Sequence, residues 1–348
     1  MKIRHLIASI LITVATSISA QAKVETFQLN IESNRLISFE IVRAKDAKLP
    51  TFLFLPGVNR GLLANDDALE TLASLGYGVV AMNFSTQPIS VSALPKGVKP
   101  HFRTTTYKLD DLNTEVHALS AELKKNFNVK TVIPVSISFS SAVSSTLKNF
   151  PFIIDAVPMT SSAAVNPELE AYITYLKSSE IFNPIFGPGI TRSLLDQAYA
   201  KKWSSQVDNM IEQFDLEKNR RADMIEGYSV FSRASERFVW DLTKTSNDTR
   251  RVFIFARDDS ASLLKDQLQL FLKALDTTPN ALAFLVLDAG HVVSNDQPQS
   301  YADILNYLVK GDIKNVSGIF EVKPGVDEKK FYTGAAAKKY VKDLINKL

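Results

Sequence analysis

Cysteine is absent from all 348 residues. Its absence excludes disulfide staples, a thiol nucleophile and thiolate metal ligands, and leaves stability to the core. Histidine is scarce, with only His5, His101, His117 and His291. They are scattered, and no His-Glu-x-x-His pattern joins them, so no metal site is expected. There is no glycine-rich phosphate loop either, and no cofactor is expected. Strong charge of one sign is also missing. The net charge of +3 falls to about +1 once Lys2 and Arg4 are removed with the leader described next. No run of Lys and Arg is interleaved with aromatics, so a nucleic-acid partner is not expected. Internal repeats and low-complexity tracts are lacking.

Long apolar runs are missing as well. The run from Leu6 to Ala15 is mostly apolar but too short to span a bilayer comfortably. Lys2 and Arg4 precede it, and the small residues Ala20-Gln21-Ala22 follow it, just before Lys23. That is the pattern of a secretory signal peptide over residues 1–22. It predicts an exported protein, periplasmic or secreted, with no integral membrane segment in its mature form.

The whole chain has ordinary globular composition, 45% hydrophobic and 22% charged. Thr26 to Ala44 reads as two strands about a turn at Glu32-Ser33-Asn34. Short continuous apolar runs follow at Phe52–Leu55, at "GVVAMNF", at "TVIPVS" and at "FIIDAVPM". Each fits a strand buried on both faces. Helical patterns alternate with them. One begins near Asn65 or Asp66, one is "LDDLNTEVHALSAELKKNF", and one is "FSSAVSSTLKNF". Ser85 to Tyr107, rich in Pro, Ser and Thr, reads as loop.

Such alternation argues for a parallel sheet covered by helices. It is interrupted over residues 166–243, a helical stretch read as a lid or cap, and resumes with "RVFIFA", a helix, "ALAFLVLDAG" and a final helix. The predicted organisation is a core of residues 23–165 and 244–311, the insertion 166–243, and an extension 312–348. That extension carries an amphipathic helix with Val341, Leu344, Ile345 and Leu348 on one face.

Three side chains stand out by position. Ser138 lies in "Ser136-Ile137-Ser138-Phe139-Ser140", directly after one predicted strand and before a helix. A nucleophile on such a sharp turn needs small residues two before and two after it. Serine is only slightly larger than glycine. His291 opens the loop after the last predicted strand, next to Gly290. Asp258 and Asp259 follow the strand before that. Reactive groups in open α/β sheets gather at the carboxyl ends of strands. The plainer alternative for the two acids is to cap the helix that starts near Ser260.

The order Ser, Asp, His, with each residue after its own strand, resembles the α/β-hydrolase superfamily, serine hydrolase branch. The resemblance runs from about Thr26 to Gly311. "AGHVVSNDQPQSYADILNYL" resembles the family's His loop and final helix. "FIFARDD" resembles its acid loop, where the Asp usually falls three residues after a Gly-like position; Ala256 holds that position, which favours Asp259. "FLFLPGVNRG" resembles the loop that gives one oxyanion-hole amide.

The resemblance implies an α/β-hydrolase fold, a mostly parallel sheet with helices on both faces and a helical lid insertion. It implies catalytic Ser138, Asp259 and His291, and oxyanion-hole amides at Phe139 and Val58. For Val58 a tight turn after a strand is the rival account. The implied partner is a small-molecule ester or amide. A serine nucleophile argues against the family's dehalogenase and epoxide-hydrolase branches, which use Asp. A peptidase or amidase, or a non-catalytic binding protein of the same fold, are the alternatives.

The departures are Pro56 for the usual His of the oxyanion loop, Ser136 and Ser140 for the elbow glycines, and Met82-Asn83 where many members carry an acid.

Overall fold

A computed structural model describes residues 23–57, 67–160, 220–234, 238–240, 242, 249–259, 262–278, 280–311, 313, 315–326 and 329–348. Several expectations lie outside those residues: the leader 1–22, a helix cap at Asn65 or Asp66, Val58, and most of the insertion. Phe182, Ile185, Phe186 and Trp203 of the insertion, which the sequence offers either as the lining of an acyl or hydrophobic side-chain pocket or as ordinary lid packing, lie outside them too.

The strands are β1 (Glu25–Glu32), β2 (Arg35–Val42), β3 (Thr51–Leu55), β4 (Gly78–Asn83), β5 (Val132–Ile137), β6 (Phe152–Ala156), β7 (Arg250–Ala256), β8 (Leu282–Val286), β9 (Gly318–Val322) and β10 (Lys330–Thr333). They form one sheet in the order β1-β2-β4-β3-β5-β6-β7-β8-β9-β10. From β4 to β9 all neighbours are parallel. The β1–β2, β2–β4 and β9–β10 pairs are antiparallel.

The helices are α1 (Asp67–Ser74), α2 (Pro88–Ser92), α3 (Leu109–Asn126), α4 (Ser140–Ser144), α5 (Arg221–Ala234), α6 (Leu264–Thr277), α7 (Val293–Asp296), α8 (Pro298–Lys310) and α9 (Gly334–Lys347). Successive side chains of a strand point to opposite faces, and the apolar runs of the central strands serve both. Phe52 and Phe54 pack with Leu69 and Leu72 of α1 and Ile304 and Leu305 of α8. Leu53 and Leu55 pack on the other face with Leu112, Val116 and Leu119 of α3. Farther along that second face, Phe253 and Phe255 of β7 meet Leu268 and Phe271 of α6 and Val341 of α9. Among the described residues no helix is long and apolar enough to cross a membrane.

The structure adds elements to three stretches. Residues 312–348, read as an appendage with one helix, also supply β9 and β10, which extend the sheet beyond β8. "GIFEV" and "KFYT" are short and mix charged residues with apolar ones, so neither shows the continuous apolar run that marks the equally short β3 and β8. The loop between Ser85 and Tyr107 contains the short α2 and a 3₁₀ turn at His101–Arg103. The helix expected from Phe139 to Phe150 is only the five-residue α4. There the hydroxyls of Ser144, Ser145 and Thr146 donate to carbonyls three residues back, which competes with regular helix bonds.

Because β3, β5, β7 and β8 are parallel, their carboxyl ends open on one edge of the sheet. The Pro56-Gly57 turn, Ser138, Asp259 and His291 all lie just past those ends.

Candidate active site

Ser138 leaves β5 with φ +54°, in the left-handed region that a serine rarely occupies. Such a conformation costs on the order of 1–3 kcal/mol and persists only where neighbouring contacts determine it. Those contacts come from the serines around it. Ser138 N–H donates to Ala156 O on β6 at 3.0 Å. Ser141 Oγ donates to Ser138 O at 2.6 Å and accepts Met159 N–H at 3.0 Å. Ser140 Oγ accepts Ile137 N–H and donates to Leu55 O on β3, each at 2.8 Å. Ser136 Oγ donates to Asp155 Oδ1 at 2.7 Å. The two serines that stand for glycines are therefore bonded to the strands on either side, besides being small.

Asp155 is fully buried and holds a second charge. It pairs with Arg251 at 2.9 Å, and the Arg251 guanidinium also donates to Ser144 O at 2.6 Å. Removing one member of such a pair strands the other in a medium of low polarity. The polar floor under the elbow thus runs from Ser136 and Ser144 through Asp155 to Arg251.

His291 Nε2 lies 2.7 Å from Ser138 Oγ. On its other side, His291 Nδ1 is 2.9 and 3.0 Å from the two Asp259 oxygens. A carboxylate only accepts, so this contact sets the proton on Nδ1 and makes Nε2 the acceptor for the serine hydroxyl. Both His291 and Asp259 are buried. Of the two candidate acids, Asp259 is the one that meets the imidazole. Asp258 is exposed, and its N–H ties this loop to Ala289 O at 2.9 Å.

The capping alternative is not realised: α6 begins only at Leu264, its N-cap is Leu263, and no side chain caps it, while Asp259 ties down the loop before it. Asp259 Oδ1 accepts Ser262 N–H and Oδ2 accepts Gln267 Nε2–H, both at 2.9 Å. Gly290 does not adopt a left-handed turn. Its small size admits Asp296, whose carboxylate accepts the Gly290 N–H at 2.7 Å and would lie 2.9 Å from a Cβ placed there.

Phe139 follows Ser138, and among the described residues its N–H donates to no acceptor. An open backbone donor beside a strained serine is what a developing oxyanion needs. The Phe139 ring lies beneath Phe231 of α5, with centroids 4.1 Å apart, and Phe231 also meets Phe84 at 5.6 Å. Val58, the other expected donor, lies outside the described residues, but Gly57 before it is seen against the elbow. A Cβ on Gly57 would stand 3.6 Å from Ser138 Cβ.

The other two histidines among the described residues lie elsewhere. His101 Nδ1 is 3.3 Å from Glu32, and His117 stacks on Phe150. Sequence reasoning missed Gln87, Gln267, Asp155 and Arg251. They lie in a loop, a helix and two strands, with no local pattern to distinguish them.

A mostly parallel sheet, a strained serine after one strand, and an Asp–His pair after two later ones define the α/β-hydrolase class of fold, and the chain has that fold. No protein-family model matches the sequence, and no curated protein does. Solved structures do match. A carboxylesterase of the ammonia-oxidizing thaumarchaeon Nitrososphaera gargenis is 17% identical with TM-score 0.58, covering 83% of this chain and 100% of that one. The esterase EaEST from Exiguobacterium antarcticum is 13% identical with TM-score 0.58, covering 80% and 96%. An α/β hydrolase fold protein from Chitinophaga pinensis is 12% identical with TM-score 0.54, covering 84% and 99%.

Proposed function

We propose that the protein is an exported serine hydrolase that cleaves a carboxylic ester through an acyl-enzyme. The observation that carries this is one imidazole reaching Ser138 Oγ at 2.7 Å and Asp259 at 2.9 Å. Ser138 Oγ attacks the ester carbonyl carbon while its proton passes to His291 Nε2. The carbonyl π pair moves onto oxygen, where the N–H groups of Phe139 and Val58 donate to it. Collapse re-forms the carbonyl and breaks the bond to the alcohol oxygen, which leaves with the proton from His291. Water then attacks the acyl-enzyme, giving its proton to His291, and the second collapse releases the acid and restores Ser138. Asp259 stabilises the imidazolium in both halves.

Ester rather than amide is favoured because the similar solved structures include a carboxylesterase and an esterase. Export rests on the leader pattern of residues 1–22. N-terminal sequencing of the protein recovered from the producing cells tests it, with Lys23 expected as the first residue.

For the chemistry, the protein beginning at Lys23 is treated with a fluorophosphonate and the adduct is located by peptide mass. Ser138 is expected to carry it, and Ser138→Ala to carry none. Esters of graded acyl length and aminoacyl amides then rank the substrates; faster amide cleavage would turn the assignment to a peptidase or amidase. A protein that neither labels nor loses any ester turnover on Ser138→Ala is a binding protein on this fold.

A further inference from the structure

Gln87 sits on the turn that leaves β4, far from Ser138 in sequence and 2% exposed. Its backbone N–H donates to Phe84 O at 2.8 Å, which closes the turn. Its side chain repeats the link, because Oε1 accepts Phe84 N–H at 2.8 Å. A backbone N–H can only donate, so this bond fixes which end of the amide faces which way. The NH₂ end then points at the loop after β3, where Nε2 donates to Gly57 O at 3.0 Å. Gly57 in turn lies against the elbow, in reach of Ile137 O and Ser138 Cβ.

The turn that carries Gln87 is itself held from behind. Glu115 of α3, fully buried and paired with Arg35 at 2.9 Å, accepts Ser85 N–H at 2.9 Å and the Ser85 hydroxyl at 2.6 Å. Tyr107 OH also donates to Glu115. Burial, and then the Glu115 carboxylate, hold that phenol well above its ordinary range, so it remains a donor.

A trans peptide unit is planar and directs its C=O and its N–H to opposite sides. A bond that fixes the Gly57 carbonyl therefore fixes the direction of the N–H in the same peptide unit. That N–H belongs to Val58, the residue expected from the sequence to face the oxyanion. Donors aimed before the charge develops need no reorganisation during reaction.

We propose that Gln87 is a positioning residue of the oxyanion site. It holds the Gly57 peptide beside Ser138, and its own amide does not touch the substrate. This role rests on the serine-hydrolase assignment above.

Two variants test it. Gln87→Met keeps the length and removes both hydrogen bonds. Gln87→Glu, assayed at the alkaline end of the activity range where its carboxyl is ionised, keeps the acceptor for Phe84 N–H and loses the donor to Gly57, so the turn still closes if the first variant fails to fold. The readouts are kcat and KM on the best ester, the rate of fluorophosphonate inactivation, and the unfolding midpoint. Expected for Gln87→Glu are a fall in kcat of about 10–100-fold, KM within about threefold, and inactivation slowed in parallel.

Wild-type kcat in a folded Gln87→Met variant, or in Gln87→Glu with the carboxylate ionised, overturns the proposal. So does a rise in KM alone, which would make Gln87 a substrate-binding group. If wild type itself does not react with the fluorophosphonate, the serine-hydrolase assignment fails and this role falls with it. Wild type and variant reacting at the same rate removes only the role of Gln87.

Discussion

Ser140 stands where this fold usually has an elbow glycine, and its hydroxyl donates to the Leu55 carbonyl at 2.8 Å. The same oxygen accepts Ile137 N–H at 2.8 Å. One side chain thus joins β3, the end of β5 and the start of α4 around a residue at φ +54°. A glycine could give room to the turn but not this link. The serine-rich elbow thus holds its strained conformation by hydrogen bonds as well as by the small size of its residues.

Ser140→Gly should therefore destabilise the protein, although it restores the usual residue. Ser140→Ala should do so as well, by about 1–3 kcal/mol, because a buried donor and acceptor lose their partner. Urea unfolding of both variants measures this. If the glycine variant equals wild type in midpoint, the hydroxyl contributes nothing.

Gly227 in α5 faces the Thr86 carbonyl so closely that a Cβ there would fall on its oxygen. In an open helix, alanine for glycine stabilises by about 1 kcal/mol. Here the sign should reverse, with Gly227→Ala losing about 1–3 kcal/mol to overpacking. Thr86 lies between Ser85 and Gln87, and Phe231, one helical turn beyond Gly227, packs on Phe84 and Phe139. Ester turnover should fall along with stability. Calorimetry and kcat on the same sample decide; a more stable Gly227→Ala would mean that the helix and the turn do not touch.

The buried strands and the candidate site residues were legible for different reasons. Phe52–Leu55 and the β7 run are apolar on both faces, which only a sheet covered on both sides requires. Ser138, His291 and the pair Asp258–Asp259 were singled out by their place after strands, scarcity of histidine narrowed the choice of base, and the family resemblance favoured Asp259 over Asp258. What stayed hidden is long-range and polar. Gln87 reaches Gly57 across 30 residues and Arg251 reaches Asp155 across 96, and neither contact leaves a period in the sequence. Ser136 and Ser140 were legible as small residues, while their hydroxyl bonds depend on which strands lie beside β5. Gly290 was noticed for backbone freedom, whereas its role is to admit Asp296.

His117 provides a test by pH. It lies on an exposed position of α3 and stacks on Phe150, with centroids 5.3 Å apart. Desolvation, and then the nearby Lys124 charge, hold its pKa below the ordinary value of 6.5. In the window below 6.5 the unfolded chain binds this proton more readily than the folded one. Stability from this group is therefore present above that window and lost as pH falls through it. The unfolding temperature of wild type should drop on acidification from near 6.5. His117→Gln should show a shallower slope over the same range. Superimposable slopes would assign the acid sensitivity to other groups.

Asp258 and Asp259 are adjacent and chemically identical, yet only the second meets His291. In Asp259→Asn the amide oxygen can still accept, but its NH₂ group can instead donate to Nδ1. The imidazole would then carry its proton on Nε2, facing Ser138, and could no longer take one from it. A loss in kcat of about 10⁴-fold is expected, as for other triads with this change. Asp258→Asn should stay within about threefold, because the exposed carboxylate of Asp258 does not reach the imidazole. Asp259 also accepts from Gln267, so its variant should unfold somewhat earlier. Assays well below the melting range keep that loss apart from the chemical one. Equal losses from the two variants would show that charge near the loop, and not the 2.9 Å contact with His291, is what the reaction uses.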